Sequence, residues 1–599
     1  MSLLLAISCS KVIIERLATN QEIASQQCIA LSLMVLGKKK DGGGMGATLT
    51  HGGDRRGPRA ERERLEEPSE PLVAGRLPAA AQIHGASVRH FWAHLPHVIS
   101  KGFGWIRVKP GGQHGERIGA QDTVNVYLPG DSARLFMVEG ITPERMVVRP
   151  WLAYRHYRQR SRGVLLKSGE DWRQTRLALN HDIIAPKALP PLLPPLQSVC
   201  NEFVSRLHSI SRPDIPLPDL SNELFKFALE SICRVLYGER MGLLGDTVPA
   251  DAERFIQAIT EMFRTSVPML FIPPELLRLL SVPLWKKHMN AWDDIFLHAE
   301  KHIKKVLSLR NAKDCEAKPP HLLENIVTRG RLNLEDITAS ATELMAGAVD
   351  TTSITIQWAL WELAGKPELQ ELLRQEVQRA WQILHAGDAQ GSPETLSKLL
   401  KDSPLVRMTI KETLRLHPVA VTLQRYLAHD VTIQGYTIPS GTLAQASLWT
   451  MGRHPDIFED PEVFSPKRWL RDIHGEASPF SKAGSHKDEA ERPDEGVANW
   501  SDGNEETMKS IGSTSLGPCN GAGVGNTFLA LGFGFGPRQC LGRRIAESEM
   551  GLLLINILRN FRIRRFDDTQ VDTHFELILL PSRPIQLVFE PIESENSNL

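Results

Sequence analysis

A chain of 599 residues with 42% hydrophobic content can bury a large core, and its 70 basic and 70 acidic residues cancel, so nothing in the balance points to nucleic acid. Seven cysteines, at 9, 28, 200, 233, 315, 519 and 540, are scattered, odd in number and without metal-ligand spacing. That argues against a disulfide framework and for a reducing compartment. No run reaches the roughly 18 apolar residues of a membrane span.

Taken in chain order, residues 1–85 are rich in Gly, Arg and Glu and read as a leader of low order in the place of a mitochondrial targeting region. Glu15 and Glu22 interrupt its first turns, and the arginines of 55–64 run into Glu66, Glu67 and Glu70. Residues 86–599 read as one large domain. Helical periodicity predicts helices over 172–180, 196–207, 222–237, 252–263, 284–309, 334–364 and 367–384. A helix over 403–416 stops before His417-Pro418, because the residue preceding a proline is held out of the helical region. Short strands are expected at 124–128, 430–438 with a turn at Gly435, 577–580 and 585–589. A polar, Gly/Ser/Glu-rich run at about 477–525 is too long for a connection inside a compact domain and reads as a disordered insertion. A final apolar helix runs from Arg543 to about Asn560. The fold class expected is mainly α, with small β sheets.

Three patterns carry chemistry. The run Phe-Gly-Phe-Gly-Pro-Arg-Gln-Cys-Leu-Gly at 533–542 puts Cys540 at the end of a glycine-rich loop and at the expected start of a helix. Helix dipole and Arg538 should both push its thiol toward the thiolate, the form that serves as an electron-donating axial ligand to a porphyrin iron. In the middle of the 334–364 helix, small residues precede Asp350, Thr351 and Thr352, whose hydroxyls compete for backbone bonds and can open a groove that holds water. An alcohol backed by a carboxylate could deliver protons there from solvent. Finally, Glu412 and Arg415 share a helix face, a spacing of little weight alone because Glu261/Arg264, Glu371/Arg374 and Glu376/Arg379 repeat it.

Together with Trp172/Arg176 and Arg468 in the run 464–469, these motifs stand in the order found in the cytochrome P450 family, which this chain resembles. The resemblance implies a single haem-thiolate domain holding haem b, with Cys540 as the iron's axial ligand. It makes Trp172, Arg176, Arg425, Phe533 and Arg538 haem-binding residues, and Asp350 and Thr351 the catalytic proton-delivery pair. Glu412, Arg415 and Arg468 become a buried structural network. Ala348 departs from the second glycine usual in the family and narrows the groove slightly.

Longer stretches at 150–154, 163–167, 237–240, 265–270, 350–358 and 417–426 resemble a sterol-oxidising mitochondrial branch of the family. That branch turns cholesterol into pregnenolone by oxygenating carbons 22 and 20 and then breaking the bond between them. Position matching places Val148, Trp151, Ala420, Val421, Thr422, Gln424 and Ile578 around the substrate. It also implies electrons from NADPH through a ferredoxin reductase and a 2Fe-2S mitochondrial ferredoxin (adrenodoxin), docking at Arg407 and Lys411. The location implied is the matrix side of the inner membrane, with a monotopic contact through the apolar segment 266–285. Two alternatives stay open: a steroid 11β-hydroxylase-like enzyme, which shares the cysteine loop, and a haem- or sterol-binding form disabled by the insertion or by a disturbed region 95–122.

Overall fold

The computed structural model describes residues 107–109, 113–118, 121–311, 321–385, 391–434, 436–469 and 529–592. The leader 1–85, the 95–122 region apart from 107–109, 113–118 and 121–122, the turn at Gly435 and the 477–525 run lie outside the described residues.

Among them, fifteen α-helices and eleven strands follow in order: β1 Arg107–Lys109, β2 Gln113–Ile118, β3 Gln121–Val126, α1 Pro129–Met137, α2 Arg149–Tyr157, α3 Gly169–Ile183, α4 Leu193–Ile210, α5 Leu220–Tyr237, α6 Ala250–Phe271, α7 Pro274–Leu279, α8 Pro283–Asn311, α9 Leu322–Arg329 and α10 Leu334–Ala364. The chain continues with α11 Pro367–His385, α12 Pro393–Lys401, α13 Pro404–Leu416, β4 Thr422–Tyr426, β5 Val431–Ile433, β6 Tyr436–Ile438, β7 Leu443–Ser447 and α14 Leu448–Met451. After a 3-10 turn at Pro466–Trp469 come α15 Arg543–Asn560, β8 Phe561–Arg565, β9 Thr573–Glu576, β10 Ile578–Pro581 and β11 Leu587–Pro591. The expected fold class, mainly α with small sheets, is the one observed.

Local chemistry explains the helix ends. Asp219 caps α5 by accepting the Asn222 N–H at 3.0 Å, and Gly238 at φ +71° stops it. Asn333 caps α10 through the Asp336 N–H at 2.7 Å, and α13 starts on Pro404 and ends at His417, ahead of Pro418. The expected helix 252–263 runs eight residues further, to Phe271, with Pro268 inside it. Phe255, Ile259, Met262 and Met269 of this helix are buried, and that tertiary packing outweighs proline's local cost.

Helix α10 is the axis. Apolar on nearly every side, it crosses the molecule over about 45 Å, packing along α5 and touching α8, α13 and α15. A five-stranded sheet, ordered β1-β2-β3-β7-β4, stands to one side; β3 and β7 pair parallel and the rest antiparallel. Register sets Arg425 of β4 opposite Ala444 of β7. A second core of Val126, Leu135, Phe136, Leu427, Ala446 and Leu531 joins this sheet to the residues that lead into the cysteine loop.

Candidate active site

Three backbone bonds shape the cysteine loop. Gly534 N–H donates to Leu531 O (2.7 Å), Gln539 N–H to Gly536 O (2.9 Å), and Cys540 N–H to Phe533 O (2.8 Å). Gly534 and Gly536 take φ of +78° and +67°, which a side chain would oppose. A Cβ on Gly536 would also collide with the Glu139 carboxylate. Helix α15 begins only at Arg543, after the N-cap Gly542, so Cys540 precedes the helix rather than starting it. Its side chain is exposed, yet desolvation by surrounding protein pushes the thiol above its ordinary value, against the Gly542 backbone bond and the Arg176 guanidinium. The expected lowering by Arg538 is therefore corrected: Arg176 is the foremost cation acting on the sulfur.

Helix α10 has an open face in its middle. Gly347 and Thr351, one turn apart, are exposed in mid-helix while Ala346, Val349 and Thr352 are buried. A Cβ on Gly347 would meet nothing within 4 Å. The Thr351 hydroxyl donates to Gly347 O at 2.8 Å and that of Ser353 to Asp350 O at 3.1 Å. Both bonds leave the helix unbroken, so the open face comes from the absent side chain at 347 and not, as expected, from hydroxyls prising the backbone apart. Asp350 Oδ2 has no partner, and burial alone pushes its carboxyl up to about 7.

Four guanidinium groups converge beside the cysteine loop. Arg176 donates to Gln539 O at 2.7 Å. Arg538 donates to Pro143 O (2.9 Å) and Lys167 O (3.0 Å) and lies over the Trp172 ring, 3.9 Å from its centroid. Arg425 pairs with Glu139 at 2.5 Å, and Arg145 donates to Leu165 O at 2.5 Å. Burial pushes Arg538 down to about 9, with Arg145, Arg425 and Arg176 adding repulsion. Burial, and then repulsion from Arg425, takes Arg145 to about 10. Arg176 Nε and Arg538 Nη1 are buried without partners. Arg145 escaped the sequence reading because it sits in no motif, only between Glu144 and Met146. Phe533 is half-buried, with the Arg543 guanidinium 5.7 Å from its ring centroid.

Glu412 collects five donors: Arg415 Nε and Nη2 (2.9 and 2.8 Å), Arg468 Nε (2.9 Å), the Ser465 N–H (2.8 Å) and the Trp469 indole (2.8 Å). Arg415 spends its remaining bonds on the Gly452, Pro461 and Val463 carbonyls. These three charges hold the segment 452–469 against α13.

The family whose description reads Cytochrome P450 matches residues 88–486 and 517–589. This chain belongs to the cytochrome P450 family. The mitochondrial cholesterol side-chain cleavage enzyme of Oncorhynchus mykiss is 44% identical over 80% of this chain and 82% of its own length. The human enzyme of that name is 39% identical over 88% and 91%. A crystal structure of a cytochrome P450, CYP102L1, superposes with a TM-score of 0.57 at 20% identity, covering 80% of this chain and 92% of its own, which speaks for the fold.

The P450 cofactor, haem, suits this site. An exposed thiol, an uncrowded Gly347 and an exposed Thr351 on α10, and buried guanidiniums with one paired carboxylate among them fit a thiolate-bound, anionic group such as haem.

The other expected residues divide. Ala420 is exposed, Thr422, Gln424 and Ile578 are half-buried, and the Leu579 N–H donates to Val419 O at 2.9 Å, so β10 and the start of β4 form one wall. Val421 packs with Trp449 and Leu579, and Gln424 donates to Gln445 at 3.0 Å. Val148, half-buried, is the N-cap of α2. Trp151 is a core residue: its indole donates to Ser266 Oγ at 2.7 Å and its ring meets Phe263 and Trp292 edge-on. Arg407 is exposed on α13, whereas the Lys411 ammonium lies 3.9 Å from the Trp469 ring centroid. Of the 266–285 segment, Leu276 and Leu279 are exposed large apolar residues, while Met269, Leu277, Val282, Leu284 and Trp285 are buried. Among the described residues, no helix is long and apolar enough to cross a membrane.

Proposed function

We propose that this cytochrome P450 cleaves the cholesterol side chain in the mitochondrion, giving pregnenolone by three successive oxygenations at carbons 22 and 20. The observation that carries the reading is that curated relatives at 37–44% identity, over most of the chain, bear that one name.

Haem bound through Cys540 supplies the oxygen chemistry. The protein's own residues do the rest. Arg145, Arg176, Arg425 and Arg538 would hold the cofactor's carboxylates and neutralise their charge. Thr351 offers a hydroxyl at the open face, and Asp350, held near neutrality in its titration, can both take a proton from solvent and pass it on. The wall of 419–424 and 578–579 holds the apolar side chain of the sterol in place through three turnovers. Leu276 and Leu279 form a monotopic contact through which sterol enters. Electrons come from NADPH through an acidic 2Fe-2S ferredoxin that docks on the α13 face at Arg407. Residues 477–525 are an insertion in the domain 86–599, a reading supported by the break in the family match between 486 and 517.

The test is a titration of the purified ferric protein with cholesterol, following the Soret band, and then turnover with ferredoxin and its reductase. A high-spin shift and pregnenolone formation are expected. A shift with a deoxysteroid and none with cholesterol would replace this reading by the 11β-hydroxylase-like one.

A further inference from the structure

We infer that Glu343, on α10 two turns before Asp350, is a positioning residue that sets the arginines facing the haem carboxylates by holding the 163–167 turn. It touches neither haem nor substrate in this reading, which rests on the haem assignment above.

The carboxylate of Glu343 is buried and accepts the Gly163 N–H at 3.0 Å and the Leu165 N–H at 2.7 Å, one on each oxygen. The same turn presents its carbonyls outward to two of the four arginines. Leu165 O accepts from Arg145 at 2.5 Å and Lys167 O from Arg538 at 3.0 Å. Side chains on one helix thus reach the arginine cluster through four hydrogen bonds and one five-residue turn. Lys167 adds a second tie, its ammonium pairing with Asp336 of α10 at 2.9 Å.

Gly163 shows how closely the turn must sit. A Cβ there would come within 2.5 Å of the Glu343 carboxyl carbon and 2.7 Å of the Ala339 backbone oxygen. Only glycine permits that approach. A carboxylate so buried needs positive charge nearby. Arg155 stands at 3.6 Å, enclosed by Trp292 and Phe296 with its guanidinium carbon 4.2 and 4.4 Å from their ring centroids. Arg155 forms no hydrogen bond through Nε, Nη1 or Nη2, so its part is charge rather than geometry. Both oxygens of Glu343 remain directed at the turn. Burial pushes the Glu343 carboxyl above its ordinary value, against Arg155, the Leu165 and Gly163 N–H groups and Arg145, which all pull it the other way.

The experiment compares the haem-loaded parent with Glu343→Gln and Gly163→Ala. Gln places an amide N–H where an N–H already points, and Ala displaces the turn without altering any charge. Two readouts report the carboxylate surroundings: the rate of haem transfer to excess apomyoglobin, and the propionate-bending bands of the resonance Raman spectrum. Each variant should lose haem about tenfold faster, the usual size of an outer-shell defect, with shifted propionate bands and an unchanged thiolate signature in the carbonmonoxy spectrum. Parental transfer rates and bands in a folded, loaded variant overturn the inference. Should Glu343→Gln fail to accumulate, Gly163→Ala decides by the same readouts. A parent that purifies without haem would sink the haem reading itself, a separate outcome.

Discussion

Glu139 and Arg425, 286 residues apart, meet at 2.5 Å with both side chains all but closed to solvent. The other carboxylate oxygen of Glu139 lies where a Cβ on Gly536 would stand. The segment just after α1, the sheet and the cysteine loop are therefore locked at one point. Gly536→Ala should cost about 2–3 kcal/mol, combining roughly 1 kcal/mol for the left-handed backbone with displacement of a buried ion pair. Denaturant melts of the apoprotein should show a lowered midpoint, and haem content should drop with it. A midpoint equal to that of the parent would mean that the loop tolerates a side chain.

The Glu412 carboxylate satisfies two arginines, an indole and a backbone amide at once. Glu412→Gln leaves two buried guanidiniums short of a counter-charge, a loss of about 3–5 kcal/mol, which is a large part of the total stability of most domains. The variant should accumulate poorly, and its soluble fraction should melt early. Trp469→Phe removes one donor of the five and should cost only about 1 kcal/mol.

What was readable in the sequence was what local pattern determines. The bounds of α10 and α15 coincide with those expected, since caps, prolines and apolar periodicity lie within the segments themselves. Glu412, Arg415 and Arg468 do meet, although only the family order of motifs singled that pair out from its look-alikes. Of those, Glu376 turns instead to the Leu405 and Val406 amides. Arg145, Glu139, Glu343 and Gly163 were silent because their roles arise from contacts 20 to 286 residues distant in the chain, such as Gly163 with Glu343 at a separation of 180. No window of sequence holds both partners. Trp151, expected beside the substrate, shows why position matching needs the contacts as well: an aromatic near the site packs into the core as readily as it lines a pocket.

Arg407 and Lys411 were paired as docking cations, and the structure separates them. Arg407 is exposed, while Lys411 lies over Trp469 beside the Glu412 network. Arg407→Glu should raise the apparent ferredoxin requirement severalfold and flatten its salt dependence, with haem content and melting unchanged. Lys411→Glu should in addition lower stability by about 1 kcal/mol, through the lost cation–π contact and a new like charge beside Glu412. Equal requirements for Arg407→Glu and the parent would remove this face from the electron path.

Deleting 477–525 tests both the insertion and the inactive-form reading. The family match stops at 486 and resumes at 517, so the shortened chain should bind haem as the parent does. Turnover equal to the parent's would show the run to be dispensable; turnover that appears only on deletion would show that it blocks the enzyme. Loss of haem binding would make the run part of the fold.

Asp350 links the site to pH. Burial raises its carboxyl from 3.8 to about 7, so the folded protein binds this proton more tightly than the unfolded chain does. Stability from this group is then greatest below pH 4 and falls as pH rises toward 7, by roughly 4 kcal/mol for a fully dry site and about 2 kcal/mol for one open to a cavity. Asp350→Asn abolishes that fall, and should melt higher than the parent at pH 8 and equally at pH 4. Its kcat should drop at least about 100-fold, the usual share of a general acid–base group. The parent's pH–rate profile should bend near 7, and the variant's should lose that bend. A variant that keeps both the bend and the rate would move proton delivery to another residue.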